Sequence, residues 1–423
     1  MKYVMMKKDS PILSFEFDQE KKLVSHVYDY VNRDHLPFEL ADPRYNPSVK
    51  ALNQWVNNRA IPRTRKGLNQ ALQNMNIESP LDLLMLSYGL SLTDQYWVKP
   101  DEENLKWDSI NYFENDFSDY IGTHLLGAVT ARVKRELNGP CASLGGNLPK
   151  KWAIDEDGNR CLIKSGVYNG YQEVYNELLA TYMHESVGVM PFVPYSYINV
   201  NGYSCSKCKN FIGINSEFVS GYHVINSVKK PNDINNYNHF IKVCENHGLS
   251  NARQFMDYML ITDFLIANQD RHTSNFGIIR DSDTLQWKSM APIFDSGNSL
   301  WYKTPTALIV GEQDVECTSF RRTQSKQIQL VSSFDSIDMS KIRTLPDVFF
   351  SILRSNDEIS SSRKDKLCFA LRNRIAFFEK EILPTPKIFV KKTLDDQIES
   401  AQSRATESHF PDKSPAKEII PEH

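Results

Sequence analysis

The sequence predicts an α+β protein of two lobes, a small β-rich lobe with one helix and then a mainly helical lobe, behind a mostly helical accessory region. Three observations carry this. Between about 140 and 225, short β-rich runs such as CLIKSG, PFVPYSYINV and CKNFIGI alternate with Gly and Asn turns around one helical pattern, YQEVYNELLATYMHESVG. From about 232 to 383, apolar residues recur at helical spacing in NYNHFIKVCENHG, FMDYMLITDFLIAN, LPDVFFSILRSN and RKDKLCFALRNRIAFFEKEIL, apart from a break at 276 to 300. The polar motifs gather near the junction, where the cleft of a two-lobed nucleotide-binding enzyme would lie.

These patterns divide the chain into an accessory region at 1–125, a first lobe at 126–228, a second at 229–385 and a tail at 386–423. In the accessory region ALNQWVNNRAIPRTRKGLNQALQNMN and SPLDLLMLSYGLS read as helices, the second with Ser79 as N-cap before Pro80. Arg59, Arg63, Arg65 and Lys66 form a basic cluster there, read as a solvated helix face rather than a contact for an acidic partner. Past Pro384 and Pro386 the tail is polar, with few large apolar residues, and reads as disordered.

With 41% hydrophobic and 24% charged residues, the 423-residue chain is of ordinary globular composition, which excludes a fibre. Its 49 Lys and Arg against 52 Asp and Glu, a net charge of -3, give no bulk electrostatic reason for binding nucleic acid. No apolar run reaches membrane-spanning length, and MKYVMMKKDS leads into charged residues, so a cytoplasmic protein without a membrane partner is expected. The seven cysteines are odd in number and irregularly spaced, which reads as reduced thiols. Cys205 and Cys208 have metal-ligand spacing, but no second pair completes a zinc site, so they read as strand cysteines.

The stretch NQDRHTSNFG, from Asn268, follows a helix that is apolar on nearly every face: Met256, Met259, Leu260, Phe264 and Ala267 share one face, with Phe255, Ile261 and Leu265 on others. Asp270 and Asn275 lie five residues apart. In phosphoryl transfer a loop aspartate accepts the substrate hydroxyl proton and an asparagine five residues on binds a metal ion. One hairpin later, Asp295 follows an apolar strand end in IFDSG, where such enzymes hold the metal that bridges nucleotide phosphates. Either stretch alone is compatible with a plain turn, because Asp, Asn and Gly favour turns. Their order, with one hairpin between, favours a site.

NQDRHTSN with IFDSG downstream resembles the N-x-D-x-H-x-x-N and (Y/F)-D motifs of HipA-like serine/threonine kinases, the toxin components of bacterial toxin-antitoxin modules. Upstream, CASLGGNLPKKW resembles the family's phosphate-binding loop, CLIKSG its lysine strand and YNELLATYMHESVGV its N-E-x-x-x helix. The similarity spans about 140 to 380, not the first 120 residues. It implies a bilobal protein-kinase-like fold that uses ATP and Mg2+ to phosphorylate a Ser or Thr of a protein. It also implies Asp270 as the catalytic carboxylate and His272 as a member of the loop that orders it. Asn275 and Asp295 would be the magnesium ligands. Gly145 and Gly146 would let the backbone approach phosphates, with Lys150 adding a charge, and Lys164 would take the α and β phosphates. Glu177 could hold Lys164 in an ion pair, with Glu173, one turn earlier, as the competitor. Phe211 and Ile212, in the link between lobes, are the residues expected to meet adenine. Ser143 would be an autophosphorylation site, since a dianion beside Gly145 and Lys150 competes with nucleotide phosphate. The resemblance also implies a small antitoxin-like partner. Two other readings use the same residues: an atypical kinase or adenylyl transferase for a small molecule or lipid, and an ATP-holding regulatory module of pseudokinase type. Keeping Asp270, Asn275, Asp295 and Lys164 together argues against the module, which needs no base.

Overall fold

Alternation governs the N-terminus more than sequence reading recognised. Strands β1 (Lys2–Lys7), β2 (Ser10–Asp18) and β3 (Leu23–Tyr30) form an antiparallel sheet with β4 (Tyr96–Pro100), in the order β3-β2-β1-β4. In β2 the buried Leu13, Phe15 and Phe17 fall at period two, the signature of a half-buried strand. The computed structural model describes residues 1–30, 32–41, 47–65, 67–126 and 139–383, so the tail and Lys66 lie outside the described residues.

The expected mostly helical accessory region is therefore corrected to a sheet covered by short helices. Helix α1 (Val49–Arg59) and α3 (Pro80–Leu86) bury Leu52, Trp55, Leu81 and Leu84 against Leu13, Phe15 and Val98 of the sheet. Helix α2 (Leu68–Met75) is separate from α1, because Pro62 lacks the N–H that a continuing helix would require. Ser79 caps α3, accepting the Asp82 N–H at 3.2 Å. Short helices α4 (Trp107–Ile110) and α5 (Tyr120–Leu125) follow β4.

The next sheet holds β5 (Lys150–Ile154), β6 (Arg160–Ser165), β7 (Ser196–Val200) and β8 (Tyr203–Lys209), all antiparallel, in the order β5-β6-β8-β7. Helix α6 (Gln172–Val187) packs on it and is buried on most faces. Cys205 and Cys208 are buried in β8, and among the described residues no cluster of His, Cys, Asp and Glu could hold a metal by itself. The expected strand through CKNFIGI stops at Lys209, because Phe211 and Ile212 belong to the link into β9 (Ser216–Ser220).

Beyond β9 come α7 (Gly221–Ser227), α8 (Asn236–Asn246) and α9 (Ala252–Leu265), then the hairpin β10 (Gly277–Asp281) and β11 (Trp287–Met290). Strand β9 pairs with β10, so the break at 276 to 300 is a small sheet of order β11-β10-β9. Helices α10 (Gln324–Gln327), α11 (Met339–Ile342), α12 (Leu345–Arg354) and α13 (Ser361–Phe377) complete an α+β architecture. Met1–Ile382 is one compact unit, and among its described residues no helix is long and apolar enough to cross a membrane.

Candidate active site

The polar knot after α9 is a helix stop whose groups satisfy one another. Ala267 adopts φ 52°, the Asn268 N–H returns to the Asp263 carbonyl at 2.8 Å and the Ala267 N–H to the Phe264 carbonyl at 3.1 Å, a Schellman ending. Asn268 then works both ways: its Nδ2 donates to Asp263 Oδ1 at 2.8 Å, and its Oδ1 accepts the Asp270 N–H at 3.0 Å. Arg271, fully buried, is the hub. Its Nε donates to Asp263 Oδ2 at 3.0 Å, its Nη2 to Ser296 Oγ at 2.9 Å, and its Nη1 to the carbonyls of Asn275 and Phe294. Burial alone would lower its pKa, but the Asp263 carboxylate outweighs that and holds it raised. Arg271 is thus an anchor between the Asp270 loop and the Asp295 loop.

Within this frame the Asp270 carboxylate accepts from Asn298 Nδ2 at 2.7 Å. The Asp270 carbonyl takes the His272 N–H at 2.7 Å and Asn275 Nδ2 at 2.9 Å, which leaves the Asn275 amide oxygen as the group suited to a cation. His272 Nδ1 accepts the Ser274 N–H at 3.2 Å, so the ring braces its own turn.

Across from that loop, Lys164 on β6 is buried and bridges two acids. Its Nζ lies 3.0 Å from Glu177 Oε1 and 2.7 Å from Asp295 Oδ1, over the Tyr195 ring. Burial opposes its charge, yet Asp295 and Glu177 raise its pKa well above the usual value. Burial raises Glu177 despite the lysine, whereas Asp295 is held well below the usual carboxylate range because Lys164 and Lys150 outweigh its burial. Glu177 also takes the Ser296 N–H at 3.0 Å, so α6 positions the lysine and the DSG turn together. Glu173 does not meet Lys164; it accepts the N–H groups of Val167 and Tyr168.

Asp295 sits at φ 59° and keeps an open face, its side chain 32% exposed. Gly297 is required by packing, since a Cβ there would come within 2.8 Å of the Glu173 carbonyl oxygen. Asn176 fastens this turn to α6, its Nδ2 donating at 2.8 Å to the carbonyls of Gly297 and Ser299. A small, partly open pocket lies among Leu148, Lys164, Glu177, Ser206, Asp295 and Gly297. An open aspartate carboxylate and an asparagine amide oxygen are the donor types that suit Mg2+, which takes one or two protein oxygens and completes its shell with phosphate and water.

Gly145 and Gly146 are exposed in the loop before β5, with Gly146 at φ 83°. Lys150 stands directly across from Lys164 in the β5–β6 pair, and its Nζ lies 2.5 Å from where a Gly146 Cβ would be. Burial pulls Lys150 down to about 8 although Asp295 raises it. Ser143 Oγ donates to the Leu90 carbonyl at 2.7 Å. Phe211 packs on Phe294 with ring centres 5.4 Å apart, next to Asp295, and the Ile212 side chain is buried.

The solvated basic face expected in the accessory region is corrected, because two of its arginines are internal. Arg59 forks onto Asp94 at 2.9 and 2.7 Å, and Arg65 is buried against the glycine loop. Arg65, Asn176 and Asn298 are site residues that sequence reading missed. A signal existed only for Asn176, which precedes Glu177 in the helix motif.

A lysine between a helix glutamate and a loop aspartate, beside a second loop with aspartate and asparagine, is an arrangement of phosphoryl-transfer sites. Residues 142–344 match the profile of the HipA-like C-terminal domain. No curated protein matches the sequence. Among solved structures, the Helicobacter pylori proinflammatory kinase CtkA is similar at 18% identity, over 54% of this chain and 90% of that one, with a TM-score of 0.41. HipA of the Shewanella oneidensis MR-1 toxin-antitoxin system, solved with HipB and operator DNA, is similar at 12% identity over 95% of each chain, with a TM-score of 0.47. The golgi casein kinase is similar at 10% identity over 78% of this chain and 90% of that one, with a TM-score of 0.28.

Proposed function

We propose that the protein is an ATP- and Mg2+-dependent serine/threonine kinase of HipA-like type that acts on a protein. The observation that carries this is Lys164 held between Glu177 and Asp295 at the wall of a cavity, with the braced Asp270 loop alongside. Phe211 is the residue for adenine contact.

Each side chain has a task. Lys164 binds the α and β phosphates, and Glu177 keeps it aimed. Asp270, oriented by Asn298, receives the proton of the acceptor hydroxyl as the oxygen attacks the γ-phosphorus and the bond from that phosphorus to the β,γ-bridging oxygen breaks, releasing ADP. Asp295 and Asn275 would hold Mg2+, which when bound neutralises charge on the phosphates. Lys150 and the glycine loop neutralise the remaining phosphate charge from the other side. Ser143 is proposed as an autophosphorylation site; its hydroxyl donates to Leu90, so transfer onto it requires the 140–148 segment to leave this conformation.

The test is the intact mass of phosphatase-treated protein after incubation with Mg2+ and ATP, with and without an added generic protein acceptor, and with Asp270→Ala alongside. Gain of phosphate by the protein or the acceptor, absent in the variant, supports the reading. Gain of AMP redirects it to adenylyl transfer, and no gain on either, with ATP bound, redirects it to a regulatory module.

A further inference from the structure

The glycine loop is held from beneath by a residue outside the HipA-like stretch. Arg65, in the turn between α1 and α2, donates from Nε to the Gly146 carbonyl at 3.0 Å. Its Nη2 donates to the carbonyls of Gly145 and Gly146, each at 2.8 Å, and to that of Leu144. Thr64 Oγ1 adds a hydrogen bond to Asn147 Oδ1 at 2.8 Å. The loop's flank is part of the same body: Cys141, Ala142 and Leu144 are buried in one cluster with Leu68 and Leu72 of α2.

In a trans peptide the carbonyl and the next N–H point in opposite directions. Collecting the carbonyls of Leu144, Gly145 and Gly146 on Arg65 therefore turns the N–H groups of Gly145, Gly146 and Asn147 to the opposite side. Among the described residues those three N–H groups have no hydrogen-bond partner. Successive free N–H groups on one side of a turn make an anion cradle. The guanidinium is itself anomalous. It is 2% exposed, and among the described residues it pairs with no carboxylate and its Nη1 has no partner. Burial draws its pKa down to about 10, so it remains a cation at neutral pH. A buried charge without a counter-charge is a cost that an anion bound over the loop would offset.

We propose that Arg65 is a positioning residue that shapes the glycine loop into a phosphate cradle, making the N-terminal region a working part of the nucleotide site. This rests on the kinase reading above. A purely structural clamp would stabilise the fold without regard to ligand, whereas a cradle acts in proportion to the phosphates it holds.

The experiment is calorimetric titration of full-length wild type and Arg65→Lys with Mg2+-ATP and with adenosine. Lysine keeps the charge but cannot fork to three carbonyls. ATP affinity is expected to fall about tenfold or more, the loss typical of hydrogen bonds to charged groups, while adenosine affinity stays within about twofold. If Arg65→Lys does not fold, Thr64→Val is the second variant, expected to weaken ATP and spare adenosine by the smaller effect of one neutral hydrogen bond. Equal loss for both ligands, or no loss for either, overturns the proposal. Wild type that binds no ATP removes the kinase reading as well, whereas wild type that binds ATP beside an unchanged variant removes this proposal alone.

Discussion

The loop of Asp270 and the loop of Gly145 and Gly146 are built on opposite plans. The first is tied down by its own neighbourhood: Asp263 and Arg271 are buried beneath it, and Gln324 Nε2 donates to the carbonyls of Asp263 at 3.1 Å and Asn268 at 2.6 Å. The second is exposed, leaves three N–H groups free, and is braced through contacts with Arg65 and Thr64 about eighty residues earlier. The difference teaches where precision is needed. On the proposed function, a carboxylate that meets a hydroxyl works within a few tenths of an ångström, and the buried Asp263–Arg271 pair holds its loop to that tolerance. On the same proposal, a loop that admits and releases a polyphosphate keeps its donors open and borrows its shape from a neighbouring region.

The largest effect expected breaks the chemical side of this contrast. Asp270→Asn should lower phosphoryl transfer by about a hundredfold to ten-thousandfold, the range for a positioned acid–base group, with the melting temperature almost unchanged. Radiometric transfer beside a thermal melt checks both halves, and an active Asp270→Asn would remove this residue from the mechanism.

Next, Arg271→Ala leaves Asp263 buried without its cation, which should cost about 3–5 kcal/mol in urea unfolding. Asn147→Ala in the exposed glycine loop should cost less than about 0.5 kcal/mol by the same measurement. Similar costs at the two positions would erase the distinction between the loops.

A smaller effect sharpens the phosphate side. Lys150, drawn down to about 8, is a cation below that pH and becomes neutral as pH rises through it. ATP affinity should therefore fall above pH 8, by at most about tenfold per pH unit for one proton, and Lys150→Arg should flatten the profile. Smallest is Ser79→Ala, which removes the α3 cap but touches neither loop's hydrogen bonds. It should cost about 1 kcal/mol of stability and leave ATP affinity untouched.

Much of the site's chemistry was legible because it is local. The end of α9, the five-residue spacing of Asp270 and Asn275, and the strand carrying Lys164 are written in periodicity and turn residues within ten or so positions. The N-terminal sheet was hidden for a related reason. Strands such as KYVMMK lack clean alternation, Met5 and Met6 both being buried across a register shift in the pairing with β2, so the run matched no single period.

Sequence alone nominated candidate residues for chemistry and gave their order along the chain, since propensity, periodicity and turn chemistry act between near neighbours. Only the tertiary structure decided which of them meet. It placed Glu177 rather than Glu173 on Lys164, aimed Asn298 at Asp270, and turned Arg65 from a surface charge into a buried support of the glycine loop. Such contacts join residues 13 to 131 positions apart, and hydrogen bonds across that span follow from how sheets and helices pack, which leaves no mark on the intervening chain.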